Sequence, residues 1–111
     1  MNISIIGAGP IGGYTAYLLA KAGHSVSLYE NHAQVGCPIQ CTGILTSDFD
    51  EFGFPMDSFL VNTIDKIEVV TPNQQVAVKQ KDYIVHRTKF DSFFVVMAIK
   101  AGAQLYLNHS F

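Results

Sequence analysis

Gly7-Ala8-Gly9-Pro10-Ile11-Gly12 is the stretch that decides how the rest of this chain is read. It fits G-x-G-x-x-G, a pattern that is weak alone and gains meaning from its flanks. Before it, Ile3-Ser4-Ile5-Ile6 is apolar and β-branched apart from Ser4, the pattern of a buried strand. After it, Tyr14 to Ala22 carries Ala, Leu and Tyr without a breaker and predicts a helix, with Gly23 as its stop. Val26 to Tyr29 predicts a second buried strand, ending in Glu30. The order is strand, turn, helix, strand, and parallel strands so joined need a right-handed crossover.

Each position of the turn has its own physical task. Gly7 permits the sharp turn off the strand. Gly9 leaves the backbone open to a pyrophosphate, and Gly12 lets the helix pack close to the strand. The free N–H groups and positive dipole end of the helix then face the phosphates, with Ile11 inside that turn. Pro10 suits the first helical turn, which needs no donor from it. Glu30 stands near the ~20-residue offset of the acid that accepts hydrogen bonds from a nucleotide's ribose in such units. Its charge would repel a 2′-phosphate, which argues against NADP. The competing reading of Glu30 is an ordinary surface acid after a strand.

From Glu30 the chain continues through Asn31-His32-Ala33-Gln34-Val35 to Gly36. This acid-x5-Gly spacing resembles the extended fingerprint of FAD-binding proteins, whereas NAD dehydrogenases usually pass at once into another helix. FAD is therefore the expected cofactor. The irregular segment to Gly43, broken by Gly36 and Pro38, would follow it toward the flavin.

Further along, Ser47 followed by Asp50 resembles a capping box, and a short helix is expected from about Ser47 to Phe52, ended by Gly53. Ile64 to Thr71 and Gln75 to Gln80 alternate enough to be strands, and Pro72-Asn73 is turn chemistry, so they predict a hairpin. Tyr83 to Val85 reads as a third short strand. Thr88 and Asp91 give a second capping-box match. After it Phe90, Phe93, Phe94, Met97, Ala98 and Ala101 recur at helical spacing and are expected to face a core, with Gly102 as the stop. Leu105 to Leu107 begins another strand. The expected fold is α/β: a Rossmann-like FAD-binding domain over residues 1–111, with strands near Ile3, Val26 and Leu105 in one parallel sheet. Residues 62–85 would be a β-hairpin insertion belonging to a substrate-side layer.

Composition narrows the function classes. The 111 residues are 49% hydrophobic, enough for a core, and the formal net charge is −2. Lys and Arg do not cluster, so no nucleic-acid groove is expected. Asp48, Asp50 and Glu51 read as a solvated face, and no metal site is expected, because no His or Cys joins them at ligand spacing. Cys37 and Cys41 are too few and too close for a secreted disulfide framework. Asn-x-Ser matches at Asn2 and Asn108 are discounted because nothing suggests secretion. No apolar stretch is long enough to cross a bilayer. The expected location is the cytoplasm, with peripheral contact to a membrane left open.

Val35-Gly36-Cys37-Pro38-Ile39-Gln40-Cys41-Thr42-Gly43 is more distinctive than the glycine turn. It resembles the G-x-P-x-x-C-x-G segment of the geranylgeranyl reductase family, especially the archaeal digeranylgeranylglycerophospholipid reductases. Val85-His86-Arg87-Thr88-Lys89-Phe90-Asp91 resembles that family's R-x-x-F-D motif, with His86 where an Asp is frequent, and Ala101-Gly102-Ala103 matches the Gly-Ala step after its helix. The resemblance implies an FAD-dependent oxidoreductase that saturates isoprenoid C=C bonds of geranylgeranyl lipids. Reduced flavin would deliver a hydride from N5 to one alkene carbon, and a proton would complete the other. The electron donor is left open between NAD(P)H and a ferredoxin-like protein.

The resemblance also implies cofactor contacts at Ile11, Glu30, Cys41, Thr42, Ile44 and Arg87, beside Gly7, Gly9 and Gly12 of the turn. Cys41 reads either as a thiol beside the flavin or as a small buried hydrophobe, and no catalytic residue is assigned beyond that possibility. Arg87 reads either as a surface charge or as a guanidinium holding the cofactor's polar tail. His24 reads as a loop residue, and His32 and His109 carry no partner signal. The family's later Gly-Asp-containing FAD motif does not occur within the 111 residues, so the chain is expected to be the N-terminal part of a larger two-domain flavoprotein, lacking the C-terminal part of its own chain. Two alternatives stand beside the reductase: an aromatic-ring FAD monooxygenase, and a non-enzymatic nucleotide-binding module.

Overall fold

The computed structural model describes residues 1–111, which divide into two compact units. The first comprises Met1–Cys41 and Arg87–Phe111, and the second Thr42–His86.

In the first unit, β1 (Asn2–Ile6), β2 (Ser25–Tyr29) and β6 (Gln104–Tyr106) form one parallel sheet in the order β1-β2-β6. Ile3 pairs with Val26 and Ile5 with Leu28, and Leu28 pairs in turn with Leu105. The ladder extends past the strands: Gly7 N–H donates to the Tyr29 carbonyl (2.7 Å), and Glu30 N–H to the Tyr106 carbonyl (2.9 Å). The strands expected near Ile3, Val26 and Leu105 therefore do share one sheet.

Helix α1 (Pro10–Lys21) starts four residues earlier than the apolar run suggests, with Pro10 in its first turn and Gly9 as N-cap. Its buried residues are Gly13, Ala16 and Ala20, all small. Small residues let helix α2 (Arg87–Lys100) approach: a Cβ on Gly13 would lie 3.0 Å from the Phe94 Cβ and 3.1 Å from the Val95 nitrogen. The core beneath both helices joins Ala16, Val26, Leu28, Val95 and Ala98, each at most 3% exposed. Burying a side chain such as Leu28 contributes roughly 1.5–3 kcal/mol.

Two sequence expectations change in α2. Of its apolar stripe, Phe90, Phe94 and Ala98 are buried, Phe93, Met97 and Ala101 are only partly so, and Val95 joins the core instead. The capping box at Thr88 does not form. The Thr88 hydroxyl donates to the Gly36 carbonyl (3.0 Å), and Asp91 is taken by Arg87. Tertiary partners outcompete the local cap, as short polar side chains allow.

The second unit is an antiparallel sheet in the order β3-β5-β4, from β3 (Ile44–Thr46), β4 (Leu60–Val70) and β5 (Gln75–Val85). The hairpin is longer than its alternation suggests, and Tyr83 to Val85 continues β5 rather than making a strand of its own. Its turn is closed by Thr71, whose N–H and hydroxyl both donate to the Gln74 carbonyl. Buried Phe59, Tyr83 and Val85 form the base, while most of the hairpin is exposed. Ser47–Phe52 is a single 3-10 segment, and its capping box also fails: Thr46 is the N-cap without a side-chain bond, and the Asp50 carboxylate accepts the Tyr83 hydroxyl (2.7 Å) instead. No helix is long and apolar enough to cross a membrane.

Candidate nucleotide site

The site is built at the carboxyl ends of β1 and β2, where a parallel sheet gathers its loops. Gly7, at φ +99°, takes the backbone off β1 in a conformation closed to other L residues. A Cβ on Gly12 would fall onto the Gly7 carbonyl oxygen, so only glycine lets α1 sit this close to the turn. Around Gly9, by contrast, a Cβ would meet nothing within 4 Å. The backbone there is open, as an approaching phosphate requires. The first intrahelical bond of α1 runs from Gly13 N–H to the Gly9 carbonyl (2.8 Å). The N–H groups of Ile11 and Gly12 precede it and have no helical acceptor. The Ile11 side chain is 79% exposed and packs no core.

Glu30 reaches back across this turn. Its Oε2 accepts the Ala8 N–H at 2.9 Å, and its Oε1 accepts the His32 N–H at 3.1 Å and lies 2.6 Å from His32 Nδ1. Its backbone is held from both sides, by the Tyr106 carbonyl and by the His109 N–H (2.9 Å). Burial pushes the Glu30 carboxyl up, but the bonds from Ala8 and His32, with the His32 charge, outweigh it and hold the group below its ordinary value of 4.5. A carboxylate lowered on folding contributes stability that is present above its unfolded value and lost as pH falls through the folded one. A Glu30→Gln variant should accordingly show a flatter loss of stability below about pH 4.5 than the parent. Urea midpoints measured from pH 6 down to about pH 3 check this, and identical acid limbs would refute it.

Arg87, the first residue of α2, grips Asp91 one turn later: Nε donates to Oδ1 (2.9 Å) and one terminal nitrogen to Oδ2 (3.1 Å). The side chains are 18% and 8% exposed. The Asp91 bond, opposed by burial and joined by attraction to Asp91 and Cys41, raises the guanidinium above its ordinary value. The fork thus spends one edge on Asp91 and a further contact on Cys41, which leaves part of its five donors for something else. Gly36, at φ +74°, packs so close to α2 that a Cβ would lie 2.7 Å from the Thr88 Cα, which ties the loop after Glu30 to the start of that helix.

These parts surround one cavity of about 440 Å³, lined among others by Ala8, Gly9, Glu30, His32, Arg87 and Asp91. Of the residues singled out from sequence, Gly9, Glu30 and Arg87 line it, and Gly7, Ile11, Gly12 and Cys41 belong to the same unit. Thr42 and Ile44 belong to the second unit, where Ile44 opens β3 and pairs with Ile84. Cys37 lines the cavity, its sulfur 3.6 Å from the Thr88 hydroxyl, and neither cysteine forms a disulfide. The residues sequence reasoning missed are His32 and Asp91. The sequence places Asp91 in a capping-box match and in the R-x-x-F-D resemblance, with no role of its own in the site. Nothing periodic marks His32, and only its position two residues after the acid could have drawn attention to it.

A family model described as an NAD(P)-binding Rossmann-like domain matches residues 5–52. Digeranylgeranylglycerophospholipid reductase 2 of Methanopyrus kandleri is 33% identical over 109 residues, 96% of this chain and 28% of its own length. Among solved structures, a geranylgeranyl bacteriochlorophyll reductase-like protein from Thermoplasma acidophilum superposes with a TM-score of 0.87 at 24% identity, over 96% of this chain and 30% of that one. The halogenase PltM, in complex with phloroglucinol and FAD, superposes with a TM-score of 0.72 at 21% identity, over 96% of this chain and 27% of that one. The resemblance to the lipid reductases thus extends over nearly the whole chain, and the Rossmann-like α/β fold is shared with solved structures that include one holding FAD. The chain spans between a quarter and a third of the length of the digeranylgeranylglycerophospholipid reductases it matches.

Proposed function

We propose that this chain carries the FAD-binding part of an oxidoreductase that reduces isoprenoid C=C bonds of geranylgeranyl lipids. The observation that carries the reading is Glu30 bonded to Ala8 N–H across an open glycine turn, in the lining of a cavity that Arg87 also lines. The pyrophosphate of the cofactor would rest on the N–H groups of Ile11 and Gly12, at the positive end of α1. Gly9 would let it approach, and Glu30 would accept from the adenosine ribose. Arg87, oriented by Asp91, would offer its remaining donors to the cofactor's polar chain. Cys41, Thr42 and Ile44 would approach the flavin side. When bound, FAD supplies hydride transfer. The protein's share is to place the alkene and exclude water. The substrate is an isoprenoid lipid, met in peripheral contact with the cytoplasmic face of a membrane, and the electron donor is NAD(P)H or a ferredoxin-like protein.

Titrating FAD and ADP separately into the chain tests the nucleotide site, followed by flavin fluorescence and calorimetry. Both should saturate at one equivalent. Glu30→Ala should weaken ADP about 10- to 100-fold, the range for losing hydrogen bonds to a charged group. Equal affinity in parent and variant, or no binding of either ligand, would overturn the assignment. The reaction itself is tested in a protein of the relatives' full length, supplied with reduced flavin and a geranylgeranyl lipid, by the mass gain of two hydrogens per double bond.

A further inference from the structure

Glu30 has little acceptor capacity left for a ligand. A carboxylate offers about four lone-pair directions. His32 occupies both on Oε1, through its backbone N–H (3.1 Å) and Nδ1 (2.6 Å), and Ala8 N–H occupies one on Oε2 (2.9 Å). One direction remains, whereas a ribose presents two adjacent hydroxyls, at its 2′ and 3′ carbons. The second hydroxyl needs another acceptor.

His32 meets that need by its placement. Its carbonyl accepts the Asn108 N–H (3.1 Å), so its backbone is fixed. A carboxylate only accepts, so the proton between the two side chains sits on Nδ1. In the neutral ring Nε2 is then an acceptor. No bond from the protein reaches it, and His32 lines the same cavity as Glu30, Ala8 and Gly9, with its side chain 39% exposed.

We propose that His32 is a second ribose-reading residue: Glu30 Oε2 takes one hydroxyl of a nucleotide's ribose diol, and His32 Nε2 takes the other. The inference rests on reading the cavity as an adenosine diphosphate site and adds its sugar specificity. Two acceptors facing the sugar select an intact diol.

The test is calorimetric titration of the full chain with ADP, 2′-deoxy-ADP and 3′-deoxy-ADP at pH 8. Each deletion should weaken binding to the parent about three- to tenfold, the range for one hydrogen bond. His32→Asn keeps a donor near the Nδ1 position but has no atom at Nε2. It should bind ADP and one deoxy analogue equally while still discriminating against the other. His32→Gln places a polar atom near Nε2 and should restore part of the lost discrimination. If only one deoxy analogue binds the parent more weakly, the diol is not read twice and the proposal falls, whatever the variants do. If His32→Asn discriminates against both analogues as the parent does, His32 does not touch the sugar. A parent that binds no ADP overturns the nucleotide site itself, an outcome distinct from either.

Discussion

Gly12→Ala should cost the first unit about 3 kcal/mol or more and abolish measurable nucleotide binding. The added methyl would fall onto the Gly7 carbonyl oxygen, with the carbonyl carbon 3.1 Å and the Ile5 Cγ2 3.7 Å away. The nearest atoms are backbone on a turn at φ +99°, not the end of a flexible side chain, so relief requires α1 to move off β1. That movement would also pull the Ile11 and Gly12 N–H groups away from the turn. Gly9→Ala is the control. Its methyl meets no atom within 4 Å, so the fold should keep its urea midpoint while ADP binding is lost to the blocked approach. A Gly12→Ala protein with the parent's midpoint would show that the turn tolerates a side chain and would remove the packing argument for this glycine.

The second large effect is expected at Arg87. Arg87→Ala leaves the Asp91 carboxylate, 8% exposed, without its bidentate partner. Stranding one member of such a pair costs about 3 kcal/mol or more, much of it from the unpaired charge left behind. Asp91→Asn in the same chain should therefore restore much of the stability lost in Arg87→Ala, because a neutral amide tolerates the site better. Denaturation of the parent, both single variants and the double variant gives the coupling directly. Additive losses would mean that the two side chains are neighbours without an energetic bond. In the rescued double variant, FAD binding should remain weak, which separates Arg87's part in the ligand site from its part in the fold.

What could be read from the residues, and what could not, divides along the range of the interactions. The strand at Ile3, the glycine turn, the helix after it and the strand ending at Glu30 are governed by neighbours within a few positions, so their pattern is written locally. The hairpin around Pro72-Asn73 and the helix after Arg87 were legible for the same reason. The capping boxes at Ser47 and Thr88 were misleading, because Asp50 and Thr88 each found a partner distant in sequence, Tyr83 and the Gly36 carbonyl. Val95 falls off the spacing of the aromatic stripe, yet it joins the core where Gly13, lacking a side chain, lets the α2 backbone at Phe94 and Val95 come close. At the site, the glycines and Glu30 could be read because a phosphate turn demands those residue types at that spacing. His32 could not, since a histidine on an irregular loop announces neither its tautomer nor the carboxylate it will face.

The backbone clamp on Glu30 and His32 has a consequence for synthesis. Both residues are held by Tyr106, Asn108 and His109, which leave the ribosome long after the glycine turn has emerged. Until they appear, a nascent chain has the glycine turn and the Glu30 carboxylate bonded to Ala8 and His32, but no clamp on the backbone that carries the acid and the histidine. Free dinucleotide in the cell would meet a half-made receptor with little grip. Tight capture should begin only when β6 docks, so nucleotide retention by stalled chains of increasing length would rise in one step rather than gradually.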